Sequence, residues 1–125
     1  MREKMSNFTI YHNPKCSKSR EALEILRQHH IQPTIIEYLK HPLSLSEIIN
    51  LRSHFDLKDF VRHNEPIFKT LHLNLANEDE ILQAMSKAPI LMQRPIITYG
   101  EKAVIGRPSE MLLTLIKEVN SLSSL

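Results

Sequence analysis

The fold of this chain is set by the stretch Phe8-Thr-Ile-Tyr-His-Asn-Pro-Lys-Cys16-Ser-Lys-Ser-Arg20. Phe8 and Ile10 alternate with polar or amphipathic neighbours, which predicts a short β-strand. After Arg20 the apolar residues recur at helical spacing, which predicts a helix that begins near Ser17. The cysteine therefore lies in the turn that leads from a strand into a helix.

A second β-branched and aromatic run, residues 34–38, follows this helix and predicts a second strand. Strand, helix and strand in this order form a βαβ unit. Such a unit pairs its two strands in parallel through a right-handed crossover. The amino-terminal third is therefore predicted to be α/β.

The middle of the chain is predicted to be helical, and the end returns to strands. Cap signatures start three helices, at 44–55 (Ser44 with Glu47), 56–63 (Asp56 with Asp59) and 77–87 (Asn77 with Glu80). Residues 96–99 and 102–105 predict a hairpin around Gly100. A last helix is predicted with Pro108 in its first turn and one apolar face formed by Leu112, Leu115, Ile116 and Val119.

The 125 residues suffice for one domain, predicted over residues 7–120 with flexible termini at 1–6 and 121–125. Apolar residues make up 42% and charged residues 24%, as in soluble proteins, and no stretch is long and apolar enough to span a membrane. No export signal follows the start, so we expect a cytoplasmic protein. The net charge of +2 is spread over interspersed residues, which argues against nucleic acid as a partner.

Cys16 is the only cysteine, so it cannot form an internal disulfide. The N–H groups at the start of a helix favour a thiolate over a thiol, and we expect the cations Lys15, Lys18 and Arg20 to add to that effect. If the thiol does redox chemistry, its partner must be a thiol of another molecule.

Four motifs together resemble the glutaredoxin-dependent arsenate reductase family. They are His12-Asn-Pro-Lys-Cys-Ser-Lys-Ser-Arg20, Arg62-His-Asn-Glu65, Pro89-Ile-Leu-Met-Gln-Arg-Pro-Ile96 and Gly106-Arg-Pro-Ser-Glu110. The resemblance implies an α/β, thioredoxin-like fold, with a mixed four-stranded sheet and a helical insert between the second and third strands. It also implies that arsenate is the substrate and that glutathione and glutaredoxin are the reducing partners.

The resemblance further assigns roles to six residues. Cys16 matches the nucleophile, His12 a histidine that supports the thiolate, and Ser19 a serine that hydrogen-bonds the sulfur. The arginines Arg62, Arg94 and Arg107 match those around the oxyanion, and the Arg94-Pro95 bond matches a cis peptide. Elementary chemistry agrees, because a guanidinium binds two oxygens of a tetrahedral anion at once and also favours a nearby thiolate.

The residues around Cys16 argue against two other enzyme classes and leave two other functions open. A phosphatase-like arsenate reductase needs an arginine six positions after the cysteine, where this chain has Ala22, and further cysteines. A Cys-x-x-Cys oxidoreductase needs a thiol at Ser19. A related regulator that binds RNA polymerase stays open, although it could not form the usual two-cysteine switch, and so does a glutathione-linked oxidoreductase of another substrate. The other histidines lack ligand spacing, so no metal is expected, and the mechanism that the resemblance implies requires no bound organic cofactor.

Overall fold

Four short strands form one sheet: β1 (Phe8–Tyr11), β2 (Thr34–Ile36), β3 (Ile96–Tyr99) and β4 (Lys102–Ile105). The computed structural model describes residues 7–123. The strand order is β2-β1-β3-β4, and β1 is parallel to β2 and antiparallel to β3. The sheet is therefore mixed, and the predicted thioredoxin-like α/β fold with a helical insert between β2 and β3 is confirmed.

The chain divides into two compact units, and the sheet belongs to the first. This unit comprises the described residues up to Glu37 and those from Arg94 onward. Besides the sheet it contains α1 (Ser17–Gln28) and α6 (Glu110–Ser123). Its buried core contains Phe8, Ile10, Ala22, Leu23, Leu26, Ile97, Leu112, Leu115, Ile116 and Val119. The predicted apolar face of the last helix is therefore confirmed.

The second unit, Tyr38–Gln93, consists of short helices. They are α2 (Leu45–Arg52), α3 (Leu57–Phe60), α4 (Pro66–Thr70), α5 (Glu78–Lys87) and a 3-10 helix at Pro89–Leu91. The helix α2 packs against α5, and an ion pair between Arg52 Nη2 and Glu78 Oε1, 2.9 Å long, joins the end of one to the start of the other. Each of the two helices buries its apolar face.

The first cap signature is correct in detail, and the other two are correct only in position. Ser44 Oγ accepts a hydrogen bond from the Glu47 N–H (3.2 Å), and the Glu47 carboxylate accepts one from the Ser44 N–H (3.0 Å), which completes a capping box. Asp56 and Asn77 occupy the N-cap positions of α3 and α5 without a side-chain capping bond. The turn before α5 is held instead by Asn74, whose side chain accepts a hydrogen bond from the Ala76 N–H at 2.8 Å.

Several element boundaries differ from the prediction because tertiary pairing overrides local preference. The strand β2 stops at Ile36, since Ile36 pairs with Tyr11, where β1 ends. The helix α3 stops at Phe60 because Val61 forms a β-bridge with Met92. The helix α6 begins at Glu110, so Pro108 precedes it rather than lying in its first turn.

Helix α4 was not predicted, and Pro66 lies in its first turn, where a proline is tolerated because that N–H needs no partner within the helix. The helix α6 also includes residues 121–123, part of the predicted flexible tail. Residues 1–6, 124 and 125 lie outside the described residues, and the single domain over 7–120 stays a prediction. No helix among the described residues is both long and apolar enough to cross a membrane.

Candidate active site

The loop between β1 and α1 is organised by Asn13. Its carbonyl oxygen accepts a hydrogen bond from the Cys16 N–H at 2.9 Å, and its side-chain oxygen accepts one from the Lys15 N–H at 3.0 Å. Both bonds close a turn that places Cys16 at the N-cap position of α1. Asn13 was not among the predicted site residues, although an asparagine before a proline is a common turn former that could have identified it.

The Cys16 side chain is buried, with 9% of the residue exposed. Burial by itself raises the pKa of the thiol. The backbone N–H of Ser19, the charge of Arg94, the backbone N–H of Lys18 and a hydrogen bond from Arg107 act in the opposite direction, and the pKa is lowered overall. Cys16 makes no side-chain capping hydrogen bond. The N–H groups of Lys18 and Ser19 nevertheless favour the thiolate, because they are polarised donors at the positive end of the helix.

Two arginines of the first unit act on this sulfur. Arg107 Nη2 lies 3.8 Å from the Cys16 Sγ, and Arg107 Nε donates a 2.8 Å hydrogen bond to the carbonyl oxygen of Arg94. Arg94 in turn lowers the pKa of the Cys16 thiol through its charge. The structure therefore brings Cys16, Arg94 and Arg107 together.

The two arginines are held in place by a close approach between the chain segments that carry them. The Arg94-Pro95 peptide is cis, as predicted, and the Arg107-Pro108 peptide is cis as well. The Gly106 N–H donates to the Pro95 carbonyl oxygen at 2.9 Å. A Cβ at Gly106 would lie only 3.1 Å from Pro95 Cγ, so a side chain there would require the Pro95 ring to shift by a few tenths of an ångström.

The structure does not show the predicted effect of the charges of Lys15, Lys18 and Arg20 on the Cys16 thiol. The charges of Lys15, Lys18 and Arg20 are not among the causes that lower the pKa of Cys16. Lys18 contributes through its backbone N–H only, and the guanidinium of Arg20 donates a 2.9 Å hydrogen bond to the Pro14 carbonyl oxygen. Cations near the cysteine in sequence thus differ from the cations that act on its sulfur.

His12 and Ser19 form a buried pair beside the loop. His12 Nδ1 and Ser19 Oγ are 2.6 Å apart, and Ser19 Oγ also accepts a 3.0 Å hydrogen bond from the Asn13 N–H. Burial lowers the pKa of His12, so the ring is favoured in its neutral form. Ser19 therefore reaches the sulfur through its backbone N–H, while its hydroxyl connects His12 to the loop. The catalytic roles of both residues stay predictions.

Arg62 belongs to the second unit. Its backbone N–H donates to the Leu91 carbonyl oxygen at 2.8 Å, and its guanidinium forms an ion pair with Glu65 three residues later. Both side chains of the pair are mostly buried. The role of Arg62 in anion binding stays a prediction.

Within residues 7–123 no group of three or more His, Cys, Asp or Glu side chains is placed to hold a metal ion.

Comparison with known proteins identifies the family of this fold and site. The ArsC family profile matches residues 11–115. The chain is 37% identical to the uncharacterized protein YfgD of Escherichia coli K12 over 112 residues, covering 86% of this chain and 94% of that protein. It is 39% identical to an arsenate reductase of Haemophilus influenzae over 112 residues, covering 86% and 97%.

A solved structure supports the same family assignment. The arsenate reductase from Vibrio cholerae superposes with a TM-score of 0.80 at 37% identity, covering 88% of this chain and 97% of that one. The resemblance that four short motifs indicated is therefore confirmed over nearly the whole chain.

Proposed function

Because this chain belongs to the ArsC family, we propose that it reduces arsenate to arsenite, with Cys16 as its single nucleophile and glutathione and glutaredoxin as its reductants. The observation that carries the proposal is the convergence on one buried sulfur of the first N–H groups of α1 and the guanidinium of Arg107. That arrangement favours a thiolate and leaves strong donors for an oxyanion beside it. The proposal places the protein in the cytoplasm, where such thiols are kept reduced.

The first step is the attack of the Cys16 thiolate on arsenic(V). A bond forms between sulfur and arsenic, and one oxygen of arsenate leaves as water after protonation. Attack by an anion on an anion is opposed electrostatically, and Arg94 and Arg107 reduce that cost because they offset the charge of both. From the family resemblance we assign Arg62 to oxyanion binding as well.

The reduction itself uses two external thiols. Glutathione displaces a second oxygen as water and becomes bound to arsenic through sulfur. A glutaredoxin thiolate then attacks the glutathione sulfur, a disulfide forms between them, and the electron pair of the broken arsenic–sulfur bond reduces arsenic(V) to arsenic(III). Water releases arsenite from Cys16 and restores the thiol, so one thiol in this protein is enough.

The test is an assay of arsenate-dependent NADPH oxidation that contains the protein, glutathione, glutaredoxin and glutathione reductase. We expect turnover that needs all components and that disappears when arsenate is left out. Equal turnover with thioredoxin as the sole reductant would contradict the proposed reductant. No turnover, together with co-purification of RNA polymerase, would favour the regulator instead.

A further inference from the structure

Two exposed lysines flank the buried sulfur in the chain. Lys15 precedes Cys16 in the loop, and Lys18 is the second residue of α1. Within the described part of the chain, neither lysine forms an ion pair. Their ammonium groups are therefore directed to solvent and are available to a ligand.

The cations around the site fall into two sets with different tasks. Arg94 and Arg107 act on the sulfur itself, and Arg107 lies 3.8 Å from it. Lys15 and Lys18 are exposed, and their charges are not among the causes that lower the Cys16 pKa. The two lysines are therefore not needed for the thiolate, and their charges can act on a ligand that extends beyond the sulfur.

The start of α1 is also an unfavourable place for cations that have no partner. The positive end of the helix dipole favours acidic side chains in the first turn, yet the first turn of α1 contains none. Lys18 therefore adds like charge to a positive helix end. An anionic ligand would remove this repulsion whenever it is bound.

We propose that Lys15 and Lys18 form a subsite for the carboxylates of the small peptide thiol or disulfide that reacts at Cys16, an inference that rests on the proposed use of glutathione. Glutathione carries two carboxylates and one ammonium group, so its net charge is negative. Its sulfur approaches Cys16 while its carboxylates extend to the exposed rim. The subsite recruits and orients the reductant, and the arginines bind the oxyanion.

The test compares three disulfides as reagents for the reduced protein: anionic glutathione disulfide, neutral 2-hydroxyethyl disulfide and cationic cystamine. In each reaction the Cys16 thiolate attacks one sulfur and forms a bond to it. The original S–S bond breaks, and its electron pair leaves with the departing thiolate, so Cys16 is oxidised, half of the reagent is reduced and no other oxidant is needed. Mass spectrometry follows the mixed disulfide at Cys16.

We expect the double variant Lys15→Gln/Lys18→Gln to lower the rate ratio of glutathione disulfide to 2-hydroxyethyl disulfide by about 3- to 30-fold, as two exposed charge contacts predict. The ratio for cystamine should rise. Added salt should weaken the preference of the unaltered protein for glutathione disulfide. Lys18→Arg keeps the charge and should keep the ratio, and Lys117→Gln, at an exposed lysine of α6, is the matched control.

Equal slowing with all three disulfides would overturn the proposal, because it would mean that the lysines act only on the thiolate. An unchanged ratio would overturn it too. Circular dichroism and thermal melts identify a variant that fails to fold, in which case the single variants Lys15→Gln and Lys18→Gln give the answer. The assay contains no arsenate, so a protein that does not reduce arsenate still tests the subsite.

Discussion

The helices α1 and α2 begin in opposite ways. At α2, Ser44 and Glu47 exchange two hydrogen bonds, so the helix start is closed by its own side chains. At α1 the N-cap is Cys16, which makes no full capping bond, and no acidic residue lies in the first turn. The start of α2 is used for stability, and the start of α1 leaves its N–H groups directed at the Cys16 sulfur.

The difference shows how one local feature can serve two purposes. Each helix has backbone N–H groups without partners in its first turn. A serine oxygen satisfies them and gains stability, whereas a sulfur is a weaker acceptor and instead gains acidity. The reactivity of Cys16 is therefore obtained by giving up a good cap.

The largest effect should come from Cys16→Ser. Arsenate-dependent turnover should be lost, because a hydroxyl is not ionised near neutral pH. The same substitution should raise the free energy of unfolding by about 0.5–1 kcal/mol, since an oxygen caps α1 better than sulfur does. Chemical denaturation measures the stability. A variant that is both inactive and clearly less stable would show that Cys16 is packed as an apolar residue rather than placed as a weak cap.

Arg107 should give the next largest effect. Arg107→Lys keeps the charge but loses the planar donor that reaches both Cys16 Sγ and the Arg94 carbonyl oxygen. Loss of one charge-assisted hydrogen bond costs about 1.5–3 kcal/mol, so kcat/KM for arsenate should fall by about 10- to 150-fold. Arg107→Gln should also raise the pH midpoint of Cys16 alkylation, because Arg107 lowers the pKa of the thiol.

The control for Arg107 is Arg27→Lys, an exposed arginine of α1 that is not among the groups that shift the Cys16 pKa. Arg20 is less suitable, since its guanidinium holds the Pro14 carbonyl oxygen in the active-site loop. Similar mild losses in the Arg107→Lys and Arg27→Lys variants would mean that a diffuse positive field, and not a directed donor, supports the thiolate.

The smallest effect should come from Ser44→Ala. Removing the capping box should lower the free energy of unfolding by about 1 kcal/mol, measured by chemical denaturation. The rate of Cys16 alkylation, corrected for any unfolded fraction, should not change, because this helix start takes no part in the chemistry. A large change in alkylation would mean that the two helix starts are coupled, and the contrast between them would then fail.

Some of these features were readable from the sequence because they depend on neighbours in the chain. The Ser44 capping box needs only residues three apart, and the hairpin turn needs a residue at Gly100 that accepts a positive φ, observed at 56°. The position of Cys16 between strand and helix also follows from local periodicity. Longer-range roles came from the family resemblance rather than from the residues themselves.

Other features could not be read, since they depend on residues far apart in the chain. The end of α3 is fixed by the pairing of Val61 with Met92, and local helix propensity contains no information about that contact. Ser19 was predicted as a site residue, but only the folded loop shows that its hydroxyl pairs with His12 and accepts a hydrogen bond from the Asn13 N–H.

The sequence by itself determined the order of the four strands, the helical character of the segment between β2 and β3, the single thiol and the types of side chain available around it. Only the tertiary structure decided which cations act on that thiol. Lys15, Lys18 and Arg20 are near Cys16 in the chain, yet the guanidinium of Arg107, 91 residues away, is the one 3.8 Å from the sulfur. The physical reason is that electrostatic effects depend on distance and burial in the folded protein, whereas sequence spacing fixes only the neighbours along one strand or helix.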